Sequence, residues 1–125
     1  MNVKDVLVEI RTARESFPAF DARLFEEENF LAIRGEFEIT YDKDTVCVMH
    51  GMPLKYRLEF AEGVSRAACI ETPYGTTRMH YTVSKVSFKK TDGRYVFKIA
   101  YRQQDSDSLE LYTITVTEKK QGVLK

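Results

Sequence analysis

Alternation of apolar and polar residues over short stretches is the feature of this chain that most constrains its fold. In LKYRLEF (54–60), four apolar side chains fall on one face of an extended chain and Lys55, Arg57 and Glu59 on the other. GEFEITY (35–41), RYVFKIAYRQ (94–103) and LELYTITVTE (109–118) carry the same period of two. This period predicts β-strands that are buried on one face only.

Short turn signals separate these stretches and fold each strand back beside its neighbour. Asp42-Lys43-Asp44, Glu62-Gly63 and Asp92-Gly93 are residue types that accept the backbone angles of tight turns. Consecutive hairpins make a meander, and closing it into a barrel removes its two exposed edges. A chain of 125 residues has the length of one domain. We therefore expect residues 1–125 to form a single all-β domain, a closed or nearly closed up-and-down antiparallel barrel of about eight strands.

The stretch FPAFDARLFEEENFLAI (17–33) does not follow this rhythm. Asp21 is a suitable helix cap, and Leu24, Phe25 and Leu31 follow helical spacing. Three consecutive glutamates also fit a helix better than a buried strand. Two interpretations stand here, one short helix near residues 21–31 or an irregular strand.

The composition predicts an ordinary globular protein and argues against several partners. Lys and Arg number 19, as do Asp and Glu, so bulk attraction to nucleic acid or an anionic membrane is not expected. No apolar run approaches the roughly 18 residues of a membrane span, and the charged first residues do not read as a signal peptide. We expect a cytoplasmic protein in which Cys47 and Cys69 are two buried thiols, with a disulfide between them as the alternative.

Motifs of catalysis and cofactor binding are missing from the sequence. It has no G-x-S-x-G elbow, no phosphate-binding loop and no dinucleotide fingerprint. Cys47 and His50 stand three apart on a predicted strand, so they point to opposite faces and do not form a metal-binding pair. We therefore expect a protein that is not an enzyme and has no catalytic residues, no cofactor and no metal.

The segment IETPYGTTRMHYTVSKVSF (70–88) holds the candidate recognition residues. Pro73 and Gly75 suit a tight turn, which explains the corner structurally, and the functional alternative places Tyr74 at a barrel mouth in contact with a ligand. On the strand that follows, Met79 and Tyr81 share one face and are expected inside, with Arg78 and His80 outside. In the reversed register, Arg78 and His80 would line the lumen and bind a carboxylate or phosphate.

The segment Thr45–Phe88 resembles the YwiB-like family, small bacterial proteins of unknown function with a calycin-like, and hence lipocalin-like, β-barrel. The resemblance lies in a strand ending at Gly51, the strand YRLEF, the Glu62-Gly63 turn and the segment TPYGTTRM, of which TPYGT is the specific part. The match extends to about Glu118 and is poor before Thr45. It implies a fold and a bacterial, cytoplasmic setting, and it implies no activity.

A binding barrel is our first functional hypothesis, because the calycin resemblance implies a lumen or mouth that holds a small apolar or amphipathic ligand. Large side chains filling such a lumen are the structural alternative. The candidate ligand-binding residues are Tyr56, Leu58, Tyr74, Arg78, Met79, His80, Tyr81, Phe97, Tyr101 and Tyr112.

A surface that binds protein or RNA, or a second copy of the chain, is the second hypothesis. Its basis is a basic run with interleaved tyrosines that includes Lys85, Lys98 and Arg102. Alternation sends Tyr95 and Tyr101 to the face opposite these cations, whereas single-stranded nucleic acid needs both on one face. Nucleic acid is therefore not the expected partner.

Overall fold

The computed structural model describes residues 2–13, 16–51, 55–104 and 106–119, and these residues form strands and turns without a helix. The ten strands are β1 (Asn2–Thr12), β2 (Phe20–Glu27), β3 (Phe30–Arg34), β4 (Phe37–Asp42), β5 (Thr45–His50), β6 (Tyr56–Ala61), β7 (Ser65–Thr72), β8 (Gly75–Thr91), β9 (Arg94–Gln103) and β10 (Glu110–Glu118).

All ten strands belong to one antiparallel sheet in the order β6-β5-β4-β3-β2-β1-β10-β9-β8-β7. Each strand pairs with the next strand along the chain, except that β6 and β7 form the two edges of the sheet. The first strand, β1, also pairs with the last, β10. The two edge strands meet at one point, where Lys55 and Glu71 exchange backbone hydrogen bonds of 2.9 and 2.8 Å. The predicted all-β, nearly closed antiparallel barrel is confirmed, with ten strands instead of about eight.

The region between residues 17 and 33 forms β2 and β3, so the short helix near residues 21–31 is wrong. Leu24 is fully buried and pairs with Lys4 and Ile33 on the neighbouring strands. The run of glutamates belongs to the end of β2 and the turn after it. Glu26 points inward and is tolerated in a strand because basic and phenolic side chains surround it.

These side chains close one end of the barrel as a polar cluster. Glu26 accepts hydrogen bonds from Lys90 Nζ at 2.8 Å and Tyr95 Oη at 3.1 Å, and Lys4 Nζ lies 3.0 Å from Glu118 and 3.6 Å from Glu26. The hydrogen bond from Lys90 is the main reason that the pKa of Glu26 is lowered. Five strands are thereby linked at one end.

The inward faces predicted from alternation are confirmed. Buried side chains include Phe37, Ile39, Leu58, Phe60, Tyr95, Phe97, Ile99, Tyr101, Tyr112, Ile114 and Val116. Phe60 is central, with ring centroids 5.8, 5.6 and 5.6 Å from those of Tyr81, Tyr101 and Tyr112. Aromatic rings thus fill this part of the interior.

Candidate functional site

The pairing of β6 with β7 is interrupted between its two ends. The register set by Lys55 and Glu71 would pair Arg57 with Cys69 and Glu59 with Ala67 in a regular antiparallel hairpin. Among the described residues, neither of these two pairs makes a backbone hydrogen bond. We call these four positions the β6–β7 gap, and it is an opening in the barrel wall.

Tyr81 of β8 replaces one of the missing pairs. Its hydroxyl donates to the backbone carbonyl of Glu59 at 2.8 Å and accepts from the Glu59 backbone N–H at 2.9 Å. The side chain is only 2% exposed, and burial raises the pKa of its hydroxyl. A side chain therefore satisfies the two backbone groups of Glu59 that β7 leaves unpaired.

A groove with a volume of about 710 Å³ lies at the β6–β7 gap, and we call it the β6–β7 groove. Its walls come from β4, β5, β6, β7 and β8. The less polar part is formed by Met49, Tyr56, Ala67, Ala68 and Tyr81. Its charged side chains are Glu36, Glu38, Lys55, Arg57, Glu59, Arg66 and Glu71. Such a mixture suits an amphipathic ligand.

Two arginines beside the gap differ in their ion-pair partners. Interaction with Cys47 is the main reason that the pKa of the Arg57 guanidinium is raised, and Arg57 Nη1 lies 3.4 Å from Glu59 Oε1. Arg66 is exposed and has no ion-pair partner within 4.0 Å among the described residues. Arg66 is therefore available to an incoming anionic group, as is the exposed Lys55 at the end of the gap.

The two cysteines lie in different environments, and both are free thiols. Cys47 is buried beneath Arg57, as expected, whereas Cys69 is exposed and lines the groove. The expectation of two buried thiols is wrong for Cys69, because Cys69 follows the buried Ala68 on β7 and its side chain therefore lies on the outer face.

The predicted ligand-binding residues are distributed over several places. Tyr56 and Tyr81 line the β6–β7 groove. The four other predicted lumen residues belong to the packed core and line none of the cavities described here: Leu58, Phe97, Tyr101 and Tyr112.

The orientation predicted for residues 78–81 is confirmed, because Tyr81 is buried and Met79 half-buried while Arg78 and His80 are exposed. The reversed register, with Arg78 and His80 in the lumen, is wrong. Arg78, Met79 and His80 line a separate cavity of about 370 Å³, together with residues of β7 and the segment that follows β9.

Tyr74 lies at the tip of the β7–β8 hairpin and is 99% exposed. The Thr72 hydroxyl accepts from the Tyr74 N–H at 3.1 Å and donates to the Gly75 carbonyl at 3.0 Å, and Gly75 has φ 141°. These contacts within the turn explain its residues structurally.

None of the charged residues of the groove was predicted as a ligand-binding residue. Those of β6 and the residue before it, Lys55, Arg57 and Glu59, alternate with inward residues, a pattern typical of an ordinary solvent-exposed face. The one sequence signal is in β7, where SRAAC (65–69) has small side chains except for Arg66 and no period of two. A strand of that kind packs weakly against its neighbours.

The described residues give little support for a metal site, a catalytic histidine or a membrane-spanning helix. No group of three or more His, Cys, Asp or Glu side chains within these ranges is placed to hold a metal ion. His50 lies between the rings of Phe37 and Tyr56, at centroid distances of 4.4 and 5.7 Å. No helix long and apolar enough to cross a membrane occurs in the part of the chain that the structure describes.

Comparison with known proteins places the chain in a family. The crystal structure of the ywiB protein from Bacillus subtilis superposes with a TM-score of 0.77 at 13% sequence identity, covering 94% of each chain. This similarity shows a shared fold, and the predicted resemblance to YwiB-like proteins is confirmed. No curated protein matches the sequence. Residues 25–116 match the family described as "Domain of unknown function (DUF1934)", and the chain belongs to that family.

Proposed function

We propose that this barrel is a non-enzymatic binding protein that holds a small amphipathic ligand in the β6–β7 groove. The observation that carries the proposal is the interrupted pairing of β6 with β7. A hairpin in register at Lys55 and Glu71 gives up at least two further backbone pairs, which leaves backbone donors and acceptors accessible along the groove. A bound ligand pairs with these groups.

The chemistry of the groove supports a ligand with apolar and polar parts. Tyr56, Ala68 and Tyr81 offer a contact surface continuous with the aromatic core, and the charged side chains stand around it. Arg66 is exposed without an ion-pair partner among the described residues, so it favours a ligand with an anionic group at one end.

Two features favour binding over catalysis and over a nucleic-acid surface. The imidazole of His50 is packed between two aromatic rings, and such an environment is typical of a side chain with a structural role. The tyrosines interleaved with the basic run, Tyr95 and Tyr101, are buried away from Lys98 and Arg102. We also propose that the protein works in the cytoplasm, since two free thiols suit a reducing compartment.

A fragment screen with a groove-filling variant tests the proposal. Amphipathic carboxylate fragments are titrated into wild type, Ala67→Trp and Thr117→Trp, with binding followed by NMR. Ala67 is exposed in the groove, and Thr117 is exposed on β10, three strands from β7. We expect some fragments to bind wild type and Thr117→Trp alike, and Ala67→Trp to bind them at least about tenfold more weakly.

Two results contradict the proposal. Either no fragment binds wild type, or the fragments that bind do so equally well to Ala67→Trp. Circular dichroism of both variants shows that a loss of binding does not arise from unfolding.

A further inference from the structure

We infer that the ligand of the β6–β7 groove is a short extended peptide, whose main chain completes the interrupted ladder between β6 and β7. This inference rests on the proposed function, since it names the ligand class for the same groove. The support comes from the directions of backbone groups on both sides of the gap, and from the side chains around them.

On β6, three alternate residues direct their backbone groups toward β7. Lys55 exchanges both hydrogen bonds with Glu71, and Glu59 uses both groups to bind the hydroxyl of Tyr81. Because hydrogen-bonding direction alternates along an antiparallel strand, Arg57, midway between them, directs its N–H and C=O the same way. No backbone partner for these two groups exists on β7 in the described ranges.

On β7, the same alternation starts from Glu71, whose N–H and C=O both point to Lys55. Cys69 and Ala67, two and four residues earlier, therefore direct their backbone groups toward β6. Both residues are exposed, and both line the groove. The gap thus has donors and acceptors on its two sides in the arrangement that an added strand recognises.

The ends of the gap limit the length of the peptide. The Lys55–Glu71 pair closes one end, and the Tyr81–Glu59 hydrogen bonds occupy the other. These positions are four residues apart on β6, so about three peptide residues bind within the gap at the usual rise of a strand. A long strand does not fit between them.

The surrounding side chains predict a sequence preference. Side chains of an extended peptide alternate between two sides. One side faces the inward residues Tyr56 and Ala68, and the other faces the outer surface, where Lys55 and Arg57 lie. Arg66 is two residues from Ala68 on β7 and shares its side, at the mouth of the groove. We therefore expect an apolar residue flanked by acidic residues to bind best, since the flanking side chains meet Arg57 and Lys55, and Lys55 is exposed with no ion-pair partner among the described residues.

The test uses acetyl-Glu-Val-Glu-amide as the probe, with acetyl-Lys-Val-Lys-amide and an N-methylvaline version of the first peptide as controls. Binding to the full chain is followed by the backbone amide signals in NMR spectra. We expect the amides of Arg57, Ala67 and Cys69 to shift and to gain protection from hydrogen exchange. We expect both control peptides to bind at least about tenfold more weakly.

The inference is overturned if the first peptide leaves these amides unshifted, or if N-methylation leaves its affinity unchanged. It is also overturned if the amides of Arg57 and Cys69 are already protected in the free protein, because the gap is then closed in solution. If one of these results is found while fragments bind wild type but not Ala67→Trp, the peptide inference fails and the proposed function stands. Failure of fragments and peptide alike contradicts both.

Discussion

The hydroxyl of Tyr81 binds the N–H and the C=O of Glu59 at 2.9 and 2.8 Å, although the two residues lie 22 positions apart. A side chain from β8 here performs the hydrogen bonding that β7 performs in a regular hairpin. This relationship fixes the position of the β6–β7 gap, since it holds β6 in the barrel wall where β7 does not pair with it.

Replacing Tyr81 with phenylalanine is expected to destabilise the protein by about 1–3 kcal/mol, because both backbone groups of Glu59 lose their partner in a partly buried place. The free energy of unfolding from urea denaturation measures this. A stability equal to that of wild type would show that water or a rearranged β7 satisfies Glu59 equally well.

Tyr112→Phe is the matched substitution in the same aromatic cluster, and the expected sign is opposite. The Tyr112 hydroxyl is buried without a hydrogen-bond partner among the described residues, and burial strongly raises its pKa. Removing it relieves a desolvation cost, so we expect no loss of stability or a gain of up to about 1 kcal/mol. The same urea denaturation measures it, and a clear loss would mean that the hydroxyl has a partner in solution.

Acid is expected to weaken the polar cluster at the closed end of the barrel. The pKa of Glu26 is lowered in the folded protein, chiefly by its hydrogen bond from Lys90. The stabilisation from this carboxylate is therefore complete above its ordinary pKa of 4.5 and is lost as the pH falls through the lower folded value.

Glu26→Gln is expected to remove this part of the pH dependence and to cost about 1–3 kcal/mol at neutral pH. Thermal melts between pH 3 and 7 measure both effects, with exposed Glu27→Gln as the control. If the melting temperature of Glu26→Gln falls at low pH as much as that of wild type, other carboxylates cause the pH dependence.

Gly35 is expected to tolerate no side chain, because a Cβ there would lie 2.9 Å from Ala22 Cβ and 3.0 Å from the Asp21 carbonyl oxygen. Gly35→Ala is therefore expected to lower stability by about 1–3 kcal/mol through overpacking. Gly51→Ala is the control, since no heavy atom of the described residues lies within 4 Å of a Cβ there. Equal melting temperatures for the two variants would contradict this account.

The two thiols are expected to react at different rates. Cys69 is exposed and Cys47 is buried, so one equivalent of a thiol reagent should react rapidly and the second only on unfolding. Kinetics with an aromatic disulfide reagent measure this, and Cys69→Ser should abolish the fast phase. Two fast phases in wild type would show that the region around Cys47 opens.

The pattern of apolar residues by itself determined the fold class and the inward faces. In β9, for example, Tyr95, Phe97 and Ile99 alternate with residues of the other face, and all three are buried. This was predictable because the period of a strand is local, and burial of one face follows from it. The Thr72–Gly75 turn was predictable for the same reason, since its hydrogen bonds lie within four residues.

Only the tertiary structure decided the conformation of residues 20–34 and the place of the candidate site. Glu26 belongs to a strand because Lys90 and Tyr95, more than 60 positions away, satisfy it. Local spacing contains no record of these partners. The β6–β7 gap likewise depends on Tyr81 reaching Glu59 from β8. Alternation fixes which face a residue occupies, whereas long-range hydrogen bonds decide where two strands separate.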